Sequence, residues 1–144
     1  MYTKILVPLD GSLLSEAALP HAEELAKKED AEIVILRIPE HIEPKYPAMA
    51  YVNSIREQEE ADAEAKKYVS EKVEFFKHEH IKARGITREG PVLETILEVA
   101  DEVHADMITM STHGWKGLQH LLKGSVAEKV VQNAHIPVMV IHPN

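Results

Sequence analysis

Residues 105–126 read ADMITMSTHGWKGLQHLLKGSV. The apolar run at 106–110 has the length and composition of a buried strand. It stops in Ser111-Thr112-His113-Gly114, nine residues follow, and Gly124-Ser125 open a new helical pattern. Glycine lets the main chain approach a phosphate closely, and the free N–H groups of a helix N-terminus point at an anion. A strand that leads through such a loop into a helix predicts an α/β unit with a phosphate-binding edge.

Outward from this unit, strands and helices alternate. Residues 2–9 (YTKILVPL) form a β-rich run that ends at Asp10-Gly11-Ser12. Helical spacing of Leu14, Ala17, Ala18, His21 and Leu25 predicts a helix over 13–28, capped by Ser12 or Ser15. Residues 31–38 (AEIVILRI) are almost all apolar, as in a strand covered on both faces. Residues 39–52, with Pro44 and Pro47, predict a long and unusually apolar loop, either packed on the body or serving as a lid or partner surface. A charged helix is expected over 54–82, with Ala61, Ala65, Val69, Val73 and Phe76 as its apolar stripe, broken by Gly85. A short strand over 86–89, a helix over 91–104, a helix over 124–133 and a last strand, Ile136 to Ile141, complete the order. This βαβαβαβαβ pattern predicts a single domain across residues 1–144, an open twisted five-stranded parallel sheet with helices on both faces. In such sheets ligands sit beyond the carboxyl ends of the strands, where Asp10-Gly11-Ser12 and the loop after residue 110 both fall.

Composition narrows the function classes. The chain has 144 residues, a formal charge of −8 and no cysteine. Disulfides, thiolate metal sites and cysteine nucleophiles are excluded. The acidic balance disfavours nucleic acid as a partner. No apolar run reaches the roughly 20 residues of a membrane-spanning helix, and the opening residues lack a signal-peptide pattern, so a cytoplasmic protein is expected. From residue 107 onward the only acid is Glu128, against Lys116, Lys123 and Lys129, a local balance that suits a small anion.

Each candidate residue has a chemical role and a plainer one. Asp10 can accept hydrogen bonds from ribose hydroxyls or hold Mg²⁺ through water, or it can simply favour a helix dipole. Ser125, with Glu128 three residues on, fits a capping box that is compatible with phosphate binding. Lys116 and Lys123 flank the loop and can offset phosphate charge. His78 and His80, two apart, share no helix face, and His113 and His120 lack a nearby carboxylate, so the nine histidines do not predict a zinc site. Neither G-x-x-x-x-G-K-[ST] nor G-x-G-x-x-G is present, which disfavours P-loop and dinucleotide-binding folds.

Together, KILVPLDGS (4–12), IVILRI (33–38), ADMITMSTHG (105–114), LLKGSVAEKVV (121–131) and IPVMVIHP (136–143) resemble the universal stress protein family over nearly the whole chain. Its ATP-binding members carry G-2x-G-9x-G-[ST], matched here with Ser111 in place of the first glycine. The resemblance implies a Rossmann-like, adenine nucleotide alpha hydrolase-like fold and ATP as ligand, with Mg²⁺ or Mn²⁺ held mainly by the phosphates. It implies that Pro8, Asp10 and Ile38 frame the adenosine, with Leu9 beside them. Met110 and Ser111 lie near the ribose and phosphates, and Gly114, Gly124, Ser125 and Val126 line the triphosphate. If position 111 required a positive φ, serine would lose about 1 kcal/mol there. The resemblance also implies a homodimer through the last strand, with protein partners unknown. The expected function is nucleotide-dependent regulation in the stress response, without catalysis or with slow or partner-dependent ATP hydrolysis. A nucleotide-free interaction protein of the same family is the alternative.

Overall fold

A computed structural model describes residues 1–112 and 125–143, Ser125 as main chain only. The elements are β1 (Lys4–Leu9), a 3-10 turn (Ser15–Ala18), α1 (Leu19–Glu29), β2 (Glu32–Arg37), α2 (Ala48–His78), β3 (Ala83–Thr87), α3 (Val92–Glu102), β4 (Met107–Ser111), α4 (Ser125–Asn133) and β5 (Val138–Ile141). All strand pairs are parallel, in the order β3-β2-β1-β4-β5. The expected five-stranded parallel sheet is therefore the observed one.

Alternation along the strands sorts side chains into two cores. Ile5, Val7, Leu9, Ile33 and Ile35 meet Ala22 and Ala26 of α1 and Val69 and Phe76 of α2. Leu6, Val34, Leu36, Ile108 and Met110 meet Ile96 and Val99 of α3 and Val126 and Val130 of α4. Helices thus cover both faces of the sheet.

Three expected boundaries are corrected. The helix read over 13–28 is a 3-10 turn followed by α1, which begins only at Leu19. Pro20 has no N–H and is tolerated in a first turn but not in a helix interior. The loop read over 39–52 gives way to α2 at Ala48, because Pro47 sits at the N-cap, where its missing donor does no harm. Gly85 does not break α2; it lies in the middle of β3. A Cβ on Gly85 would come within 1.9 Å of Val69 Cγ1, so the glycine lets α2 lie close on the sheet.

Candidate functional site

The connections run outward from β1 in both directions, so the sheet reverses its order between β1 and β4. Ligands of open α/β sheets bind at such a reversal, beyond the strands' carboxyl ends. The Thr3 carbonyl accepts from the Glu32 N–H on β2's side, and the Lys4 carbonyl accepts from the Asp106 N–H on β4's side. Alternation places the N side of Pro8 toward β4, where proline has no hydrogen to donate. The β1–β4 register runs only over Ile5–Met107 and Leu6–Ile108, while β4 stays paired with β5 to Ser111–Ile141. The β1–β4 register therefore ends short of Pro8, where the order of the sheet reverses.

Beyond β1, Asp10 turns the chain. Its Oδ1 accepts from the Ser12 main-chain N–H at 2.9 Å and from the Ser12 hydroxyl at 2.6 Å. The Ser15 N–H donates to Ser12 Oγ at 3.1 Å, and the Ser15 hydroxyl donates to the Ser12 carbonyl at 2.9 Å. Ser12 and Ser15 thus tie the turn to the 3-10 segment rather than capping a long helix. Gly11 takes φ +90°, and a Cβ there would stand 3.0 Å from an Arg37 guanidinium nitrogen. Arg37 is buried beneath this turn, donates to the Ile38 carbonyl at 3.1 Å and to Glu64 at 3.0 Å, and faces the Tyr68 ring at 5.6 Å. Tyr68 donates to Glu16, and Lys72 pairs with the same carboxylate at 3.0 Å, which fastens the 3-10 segment to α2. Burial first, then the hydrogen bond to Glu16, pushes the Tyr68 hydroxyl well above the ordinary phenol value.

The structure brings several expected residues together. Ile38, Met110 and Val126 belong to one apolar cluster, although they come from the end of β2, β4 and the first turn of α4. Ser111 is buried at the end of β4. Its φ is not positive, so serine in place of glycine carries no left-handed strain. Pro8 and Leu9 end β1, but the Leu9 side chain packs in the α1/α2 core, which leaves only its main chain at the edge. Gly114, Gly124, His113, His120, Lys116 and Lys123 lie outside the described residues. The main chain of Ser125 opens α4 at the carboxyl side of the sheet.

A cavity of about 350 Å³ adjoins Ile38, lined by Pro39, Glu40 and His41 after β2, Gln58 of α2, and Glu89, Gly90 and Pro91 after β3. None of the expected site residues lines it, and neither Arg37 nor this cavity was singled out by sequence. The only signal for Arg37 was a lone cation ending an otherwise apolar strand. Glu89 on the cavity wall shares a hydrogen bond with Asp62, which raises its carboxyl above the ordinary value. Among the described residues, no three His, Asp or Glu side chains converge as a metal site. His78 ends α2 and His80 lies beyond it in a left-handed conformation, so the two do not even share a helix.

Known proteins similar to this chain in sequence and fold agree with one another. The universal stress protein family model matches residues 1–142. Universal stress protein MJ0531 of Methanocaldococcus jannaschii is 38% identical over 144 residues, which span 98% of this chain and 82% of that protein. Universal stress protein MJ0577 of the same organism is 30% identical over 98% of this chain and 95% of its own length. The solved MJ0577 structure superposes with a TM-score of 0.85 at 27% identity, covering 100% of this chain and 98% of that one. Two more distant structures share the fold. One is a universal stress protein in complex with cAMP, 22% identical, TM-score 0.63, covering 99% of this chain and 98% of that one. The other is a family member from Arabidopsis thaliana with AMP bound, 18% identical, TM-score 0.66, covering 99% and 92%. A parallel sheet whose order reverses between β1 and β4, matched over residues 1–142 by this family's model and over nearly its whole length by relatives, gives the conclusion that the chain belongs to the universal stress protein family.

Proposed function

We propose that this chain is an adenine-nucleotide-binding regulatory protein of the stress response, working in the cytoplasm as a homodimer paired through β5. ATP is the ligand, and its Mg²⁺ or Mn²⁺ is held mainly by the phosphates. The observation that carries the reading is the end of the β1–β4 register short of Pro8, at the reversal of strand order, with Asp10 and Ser111 at the carboxyl ends of the two strands. The relatives described with cAMP and with AMP support an adenine nucleotide as the ligand class. Gly114, Gly124 and Ser125 retain the family's phosphate-loop spacing, and the N–H groups of a helix N-terminus, such as that of α4, suit phosphate oxygens. Catalysis is not required of such a switch; hydrolysis is slow or depends on a partner.

The test is to denature freshly purified protein, analyse the supernatant for nucleotide, and then titrate the emptied chain with MgATP, AMP and cAMP. A ligand at about 100 times its Kd stabilises the fold by about 2.7 kcal/mol, which raises Tm by about 5 to 10 °C in a chain of this size. Gly124→Val is expected to abolish that shift while the ligand-free Tm stays near wild type. Equal stabilisation of both proteins rejects the phosphate loop, and no binding of any of the three nucleotides rejects the reading. Sustained multiple-turnover release of phosphate would make the protein an enzyme instead.

A further inference from the structure

The helix α2 is longer than the sheet it covers. Its 31 residues span about 46 Å at 1.5 Å per residue, whereas the six residues of β2 span about 20 Å. It follows β2 and returns the chain to the start of the parallel β3, so it runs antiparallel to both. Its sheet-facing residues, Ala65, Val69 and Phe76, all lie in its second half. In the first half only Ser54 is buried, and its partners are the Tyr51 carbonyl and the Lys45 N–H of its own lead-in. The first turns of α2 therefore project past the carboxyl edge of the sheet.

That projecting end is apolar and uncovered. Tyr46 and Met49 are each 78% exposed, Val52 53% and Ile55 42%. Met49, Val52 and Ile55 recur every third residue and share one side of the helix. Tyr46 and Tyr51 stack at 5.5 Å and widen the surface. Single exposed apolar residues are ordinary, but five within ten residues form a contiguous patch of the kind that marks an interaction site.

Charge selects the occupant. Residues 40–64 carry seven acids and two bases, Lys45 and Arg56. Glu59 and Glu60 lie two turns beyond Val52 on the same side of α2. Two copies meeting symmetrically through this patch would set these acids against each other, in a chain of net charge −8. Nucleic acid and anionic membrane are repelled by the same field. We propose that the N-terminal end of α2 docks a basic amphipathic helix of a partner protein, with its apolar stripe over Met49, Val52 and Ile55 and its Lys or Arg side chains over Glu59 and Glu60. This surface shares no residue with the proposed nucleotide site and does not depend on that reading.

The test uses the full isotope-labelled chain and two synthetic helical peptides of about 18 residues with one leucine stripe, one carrying a lysine face and the other a glutamate face. The lysine peptide is expected to shift the amides of residues 46–60 saturably, with affinity falling as salt rises. The glutamate peptide is expected to bind about tenfold or more weakly, and the exposed double variant Met49→Lys/Val52→Lys to lose the lysine peptide by a similar factor with an unchanged Tm. Equal binding of the two peptides, shifts spread over other acidic surfaces, or undiminished binding to the double variant would overturn the proposal. So would self-association of the wild type that the double variant abolishes, because the occupant would then be a second copy.

Discussion

At Gly85 the sheet has room for a hydrogen and nothing more. A methyl group there would overlap Val69 Cγ1, and Val73 Cγ2 stands 3.3 Å away on the same side. Gly85→Ala is expected to destabilise the fold by about 2 kcal/mol through overpacking. Adding Val69→Ala should recover part of that loss, because it removes the clashing methyls. Urea unfolding of the two single variants and the double variant measures the coupling, and strict additivity would mean that α2 does not press on β3 here. In the sequence this glycine follows a long helical pattern and reads as its end, because only tertiary packing reveals a close approach. Ser111 is the opposite case. Its departure from the family pattern looked like backbone strain, yet it occupies a strand conformation open to any residue.

The same limit recurs at the ends of helices. The chain leaves α1, α2 and α3 through Asp30, His80 and His104, each with a positive φ near 55 to 60° (53°, 61° and 57°). In each case the next N–H closes back five residues, from Ala31 to Ala26, Ile81 to Phe76 and Ala105 to Ala100, at 2.9 to 3.0 Å. These are Schellman ends in which the usual glycine is missing and a buried apolar residue follows. The starts of β2 and β4 were legible from Ala31 and Ala105, but Ile81 fell inside the expected helix and β3 begins three residues before the expected strand; the stops were not legible, since neither histidine announces a left-handed residue. His80→Gly and His104→Gly are each expected to stabilise the protein by about 1 kcal/mol by relieving left-handed strain. A fall in Tm for both would show that the histidine side chains do more than tolerate the turn. A second device ties elements together at the other edge of the sheet. Asp106 Oδ2 accepts from the Thr3 hydroxyl, the Thr3 N–H and the Lys4 N–H at 2.6 to 2.9 Å, pinning the start of β1 beside β4. The Thr3 hydroxyl, then the two main-chain donors, hold its carboxyl below the ordinary aspartate value. The unfolded chain thus takes up this proton at a higher pH than the folded one. The stabilisation is complete above the ordinary value of about 3.9 and is lost as pH falls through the lowered folded value. Asp106→Asn should therefore flatten the acid limb of the stability profile below about pH 4. An unchanged limb in the variant would assign the acid sensitivity to other carboxylates.

For the whole molecule, the alternation of apolar runs made the parallel sheet and its two cores legible, whereas the place where the sheet reverses depends on strand order, which no single run of sequence carries. The same alternation decides how two copies can pair. The Pro137 carbonyl accepts from Ile108 N–H and the Ile141 carbonyl accepts from Thr112 N–H, so residues 137, 139 and 141 turn their main chain toward β4. Val138 and Val140 turn theirs outward, at the free edge of β5. A homodimer built by pairing β5 with its copy would use those outward groups, and every residue of β5 is half-buried apolar surface suited to such a contact. Proline is tolerated on an edge strand where its missing N–H faces out. Val140→Pro is therefore expected to turn a dimer into a monomer in sedimentation at micromolar concentration while leaving the β4 ladder intact. Met139→Pro removes a donor from that ladder instead and should lower the Tm. If Val140→Pro still sediments as a dimer, the copies do not pair through β5. If the wild type is itself a monomer, the free edge of β5 is left unpaired and the proposed assembly is wrong.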